Sequence, residues 1–141
     1  MKFTWIFLFL MLTSLAKAQK IDNSKIRFDG FYKTKAEIDK KDNDTTYNYL
    51  RFYSTGTVIS VSSDGTANDL KTWFNLSYDN VEEGDYKIIG KKLYFSTTAK
   101  AWSAIYRGKI KNPNYLVVRI KSSTCHWERE KFYFVGVPDL N

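Results

Sequence analysis

One cysteine, one histidine and two prolines in 141 residues close off several chemistries at once. Cys125 has no second cysteine to pair with, so stability must come from packing and not from the covalent staples of small exported domains. It reads as a small half-buried hydrophobe. A single His126 leaves too few nitrogen and sulfur donors for the usual zinc sites. Cys125 and His126 are adjacent, and neighbours on an extended strand point to opposite faces, so they do not assemble a thiol–imidazole nucleophile. Gly-rich phosphate loops and serine nucleophile elbows are absent from the sequence. Asp42-Asn43-Asp44 lacks the glycine and closing glutamate of a calcium loop and reads as a solvated hairpin tip. Neither Glu82-Glu83 nor the Glu128/Glu130 pair is placed across a substrate as glycoside hydrolysis demands. The expectation is a non-enzymatic chain with no catalytic residue, no metal and no cofactor.

Long apolar runs are missing too, with one exception at the start. Lys2 leads into an almost unbroken apolar stretch over 3–12, and Ala16-Lys17-Ala18 supplies the small residues that signal peptidase reads. The run is too short to span a bilayer, so residues 1–18 are expected to be a cleaved signal peptide and the mature chain to carry no transmembrane anchor. Export to the periplasm or the medium follows. A mature start at Gln19 in place of a cysteine disfavours a lipid anchor. Removing eighteen residues, two of them lysines and none acidic, leaves 123 residues and lowers the net charge from +7 to +5. Residues 19–141 have the size of one domain. Along the sequence the lysines are interspersed with acids, as in Glu128-Arg129-Glu130-Lys131, and form no stripe, which argues against nucleic acid as a partner.

What the chain does have is a run of short β-rich segments between turn residues, over 30–38, 47–53, 57–63, 84–89, 91–98, 102–111, 115–121 and 129–135. Eight segments at such close spacing predict an all-β, eight-stranded antiparallel up-and-down meander forming a barrel or half-barrel. The turns set the expected register. A two-residue turn at Thr55-Gly56 places Leu50, Phe52, Ile59 and Val61 on one face, with Tyr49, Arg51, Tyr53, Val58, Ser60 and Ser62 on the other. A turn at Gly90-Lys91 groups Tyr86, Ile88, Leu93 and Phe95. The loop at Asn112-Pro113-Asn114 groups Tyr106, Gly108, Ile110, Leu116, Val118 and Ile120. These apolar faces are the expected core.

One short helix is expected between strands three and four. Thr66 is a good N-cap with Asp69 as capping-box partner, and Leu70, Trp73 and Phe74 form a helical apolar stripe. A helix so short must dock to persist, at an open end of the barrel or a sheet edge, with the Trp73 indole buried. The remaining feature is tyrosine-rich. Tyr47, Tyr49, Arg51 and Tyr53, with Ser60 and Ser62 beside them, form the candidate binding face, since rigid amphipathic side chains suit recognition. Such a face tolerates Tyr49→Ala with Arg51→Ala at little cost in melting temperature.

The text of residues 49–59, with Gly30-Phe31-Tyr32 before it and Gly84-Asp85-Tyr86 after it, resembles exported bacterial members of the lipocalin-like (calycin-type) small barrels. The resemblance implies a β-barrel that holds a small hydrophobic ligand, and it implies no activity. The alternative is a secreted or envelope interaction module with a filled core that displays its surface to an extracellular partner and takes no small molecule.

Overall fold

The computed structural model describes residues 25–77, 81–124 and 126–140. The signal peptide over 1–18, the start at Gln19 and Cys125 lie outside the described residues.

Nine stretches are extended: β1 (Gly30–Lys33), β2 (Glu37–Ile38), β3 (Thr45–Phe52), β4 (Thr57–Ser63), β5 (Glu82–Ile89), β6 (Lys92–Ala99), β7 (Trp102–Asn112), β8 (Tyr115–Ser122) and β9 (Glu128–Gly136). From β3 to β9 each strand pairs antiparallel with the next. β1 pairs with β9 along one edge and with β3 along the other, which closes the sheet. The strand expected over 30–38 is therefore split, its second half staying on β3 as β2. Thr34 makes the break: its amide donates to the Asn48 carbonyl, and its hydroxyl accepts from the Asn48 amide in place of a backbone oxygen. With β1 and β2 sharing one stave, the fold is a closed eight-stranded antiparallel barrel.

Two hairpins have the expected register. Tyr86 faces Phe95 and Ile88 faces Leu93 across a turn in which Gly90 takes φ +61°. Tyr106 faces Ile120, Gly108 faces Val118, and Ile110 faces Leu116. The first hairpin is offset by one residue: Phe52 faces Val58 and Leu50 faces Ser60, while Tyr49 pairs with Val61 and Arg51 with Ile59. The reason lies in the turn. A two-residue turn would put β-branched Thr55 at positive φ, which sterics disfavour. The loop instead takes three residues, with Gly56 alone at φ +99°, its amide donating to the Tyr53 carbonyl. Val58 and Ser60 consequently point inward, and Ile59 and Val61 point outward.

The interior is solid at its centre. Phe95 and Tyr106 stack at 4.2 Å, and Phe52 stands edge-on to Tyr86 at 5.1 Å and to Tyr32 at 5.6 Å. Such pairs each add roughly 0.5–1.5 kcal/mol beyond area burial. Gly84 is needed where β5 crosses β6, because a Cβ there would lie 1.7 Å from the Ser96 carbonyl oxygen. Each buried phenol finds a partner. Tyr32 donates to the Pro113 carbonyl at 2.6 Å and accepts from the Arg27 amide, tying the chain start across one barrel end. Tyr86 donates to the Tyr53 carbonyl at 2.7 Å.

Strand alternation also sorts charge. Between residues 91 and 136 the only acids are Glu128 and Glu130, and both share the inward face of β9 with Phe132. The cations of the same strands point out. One cross-strand row runs Lys87, Tyr94, Arg107, Arg119, Arg129, and the next runs Ile89, Lys92, Lys109, Val117, Lys131.

Burial of neutral phenols makes the fold sensitive to alkali. Desolvation pushes the Tyr32 hydroxyl up from 10.0 to about 12, and Tyr49, Tyr53, Tyr86 and Tyr106 are raised by the same cause. A raised folded value means this contribution is complete below about pH 10 and lost as pH climbs toward the folded values. Denaturant midpoints should fall steadily above about pH 10. Tyr32→Phe should lower stability by about 1–3 kcal/mol at neutral pH, because the Pro113 carbonyl and Arg27 amide lose their partner. A midpoint that stays flat into strong alkali would contradict the burial argument.

Candidate functional site

The expected tyrosine face does not stay together. Tyr47, Tyr49, Arg51 and Tyr53 lie on the outside of the barrel wall, whereas Ser60 and Ser62 point to the interior side. The one-residue offset at Gly56 separates them. It places Ile59 and Val61 beside the tyrosines instead, and so makes an outer surface too apolar to leave bare.

Residues 64–77 cover that surface. The expected helix is a 3-10 turn, Asp69–Thr72, lying between β4 and β5 once the split first strand is counted as two. Its capping box forms: the Thr66 amide donates to Asp69 Oδ2 at 3.0 Å and the Asp69 amide to Thr66 Oγ1 at 3.3 Å. Leu70 and Phe74 are buried, with the Phe74 ring stacked 4.2 Å from Phe31. Trp73 is 63% exposed, contrary to the burial expected of it, because the turn is too short to carry three residues onto one face. The segment docks on the flank of the barrel and not on its end. Polar tips lock it down. Tyr49 donates to the Gly65 carbonyl at 2.6 Å, and Arg51 Nη1 and the Tyr53 hydroxyl both donate to the Phe74 carbonyl, at 3.0 and 2.6 Å. Tyr49 is fully buried and Arg51 is 5% exposed. Burial pulls the Arg51 guanidinium below its ordinary value, and Tyr53, stacked against it at 4.4 Å, opposes that shift. These three side chains hold a strap to a wall.

At the end of the barrel opposite Tyr32, a concave mouth of about 440 Å³ remains. Glu37, Glu82, Glu128 and Glu130 line it with His126, Asn48 and three serines, and Trp102, Tyr106 and Phe132 form apolar walls. Ser60 Oγ and the Tyr106 hydroxyl share a hydrogen bond of 3.1 Å, and Ser62 donates to Asn48 Oδ1 at 2.6 Å. Thr97 donates to Glu82 Oε1. Burial raises the Glu82 carboxyl, against hydrogen bonds from Thr97, Tyr106 and Trp102 that pull it down. Glu130 is raised by burial first and then by the nearby Glu37 and Glu128 carboxylates. Among the described residues no group of three His, Cys, Asp or Glu side chains is placed to hold a metal ion.

Reading the pairs as neighbours in sequence missed this convergence. A usable signal was present: Glu128 and Glu130 have the parity of Phe132, which must face the core. Glu37 and Glu82 arrive from strands 45 residues apart, so their meeting depends on closure. Among the described residues no helix is long and apolar enough to cross a membrane. Compared with known proteins, the chain matches no family model, no curated protein sequence and no solved structure. The barrel itself is compatible with a calycin-like fold.

Phe74→Ala should cost about 3–5 kcal/mol, as for other buried aromatics, while Trp73→Ala should stay within about 0.5 kcal/mol, both read from urea unfolding. Tyr49→Ala with Arg51→Ala should now lower the melting temperature markedly. An unchanged melting temperature would mean that the strap does not seal this wall.

Proposed function

We propose that the chain is an exported, non-enzymatic, calycin-like barrel that binds a small molecule in its acidic mouth. The observation that carries this reading is the gathering of four glutamates around one concave space in a chain whose net charge is +7. Like carboxylates repel, and Glu37 and Glu128 add to the upward push that burial, the larger cause, gives the Glu130 carboxyl. A ligand cation relieves that repulsion. Aromatic walls beside carboxylates suit an organic amine, whose charge meets the acids while its carbon skeleton lies on Trp102 and Tyr106. This ligand class replaces the hydrophobic one expected from the resemblance, because Phe52, Tyr86, Phe95 and Tyr106 occupy the centre where a lipid tail would enter. Export rests on the leader over 1–18. The filled centre also supports the second reading, an envelope interaction module that uses its outer surface.

Calorimetric titration with mono- and polyamines and, separately, with fluorescent fatty acids distinguishes these readings. Amine binding should be saturable at neutral pH and weaken by about tenfold or more in the Glu128→Gln, Glu130→Gln double variant. It should also weaken as pH falls through the raised carboxyl range, because protonation removes the charge the amine meets. Fatty-acid uptake without amine binding would restore the hydrophobic ligand. No uptake of either would leave the interaction module.

A further inference from the structure

The outer wall of β6–β9, with Lys87 at its border on β5, is a second feature that sequence order conceals. Lys92, Arg107, Lys109, Arg119, Lys121, Arg129 and Lys131 all point outward there, and none of these four strands sends a carboxylate to that face; Glu83 and Asp85 share the outward side of β5 with Lys87 at the border. The strap over 64–77 and the C-terminal Val137 and Leu140 pack on the opposite flank, so no segment among the described residues covers this wall. Among the described residues the one ion pair is Arg27–Asp29, at 2.6 Å, away from the wall. The indole of Trp127 lies 5.1 and 5.3 Å from the Arg107 and Arg119 guanidinium carbons, holding two cations side by side. So dense a patch of one sign repels itself.

Apolar groups are interleaved with the charges. Ile105 is 48% exposed and Ile89 54%, and the rings of Tyr94 and Tyr133 are each more than one-third exposed on the same wall. Val117 sits between Lys109 and Lys131 in the cross-strand row and is 9% exposed. Cations on long stems, phenols and aliphatic side chains at one level are what an anionic membrane surface takes: charges meet lipid headgroups while rings and aliphatics enter the interface. Away from a recess at its β9 edge, which Glu37 and Glu130 line with Lys35, Arg129 and Lys131, the convex wall suits a sheet of charge better than a nucleic-acid strand, which needs a channel or stacking platform.

We propose that the outer wall of β6–β9 is a docking surface for an anionic lipid bilayer, with the strap facing away from the membrane and the mouth opening alongside it. The assignment is independent of whether the mouth holds a ligand. Each Lys or Arg near such a surface strengthens binding by about fivefold, so several acting together give stable but salt-sensitive attachment.

Sedimentation with vesicles tests it, using phosphatidylcholine alone against phosphatidylcholine with about one-third phosphatidylglycerol. The chain should bind the anionic vesicles at least tenfold more tightly and be released by about 0.5 M salt. Lys109→Glu with Lys121→Glu should cut that binding at least tenfold without changing the melting temperature, since both side chains are exposed. Tyr94→Ser with Ile105→Ser should weaken it several-fold with the salt dependence retained. Glu128→Gln with Glu130→Gln should leave it unchanged, which separates the wall from the mouth. All arms use the same chain, so any contribution of the apolar residues 3–12 cancels between parent and variant. Equal binding to both vesicle types, or full binding by the charge-reversed variant, would overturn the proposal. Tighter binding to nucleic acid than to anionic vesicles at equal salt, lost in that same variant, would reassign the wall and overturn it as well.

Discussion

β1 is four residues long, yet it hydrogen-bonds along both of its edges, to β9 on one side and to β3 on the other. Through that double pairing the sheet closes on itself, and every residue of the remaining strands must choose between an enclosed interior and an outer wall. The interior admits Phe52, Tyr86, Phe95 and Tyr106 as a stacked and edge-on aromatic cluster, with Tyr32 anchoring one end through Arg27 and Pro113. At the other end, where β1 gives way to β2 at Thr34, the interior opens into the mouth. Closure and opening thus share one cause, the change of partner along the first stave.

Gly56 has an influence beyond its own turn. Because the hairpin loop holds three residues, Ile59 and Val61 join Tyr47, Tyr49 and Tyr53 on the outside of the barrel, and an apolar outer patch results. Such a patch needs cover, and Leu70 and Phe74 supply it from a 3-10 turn that could not persist alone. The Phe31–Phe74 stack and the bonds to the Gly65 and Phe74 carbonyls make a second small core outside the barrel. Side chains whose type suggested recognition serve here to hold the chain to itself.

The same inward or outward choice divides the charge. In sequence, Glu128-Arg129-Glu130-Lys131 is a balanced run. On β9 its acids enter the mouth and its bases enter the outer wall, and β6, β7 and β8 add bases to the wall with no acid to offset them. One barrel therefore carries an acidic recess and a basic exterior, each too concentrated in sign to be favourable in the bare fold. The two are separated by the thickness of the wall.

The pattern of short apolar runs and the Gly90 and Asn112-Pro113-Asn114 turns were enough to read the all-β class, every strand span but the first and two of three registers, because these are local matters of period and turn geometry. The capping box at Thr66 and Asp69 was legible for the same reason. The Gly56 register was not, since a two-residue and a three-residue loop differ by a backbone strain at Thr55 that residue types barely announce. Whether Tyr49 and Arg51 face water or a strap, and whether Glu37 meets Glu82, Glu128 and Glu130, are decided by contacts between distant segments. Alternation can be read along one strand, but which wall stays bare and which end stays open exist only once the sheet has closed.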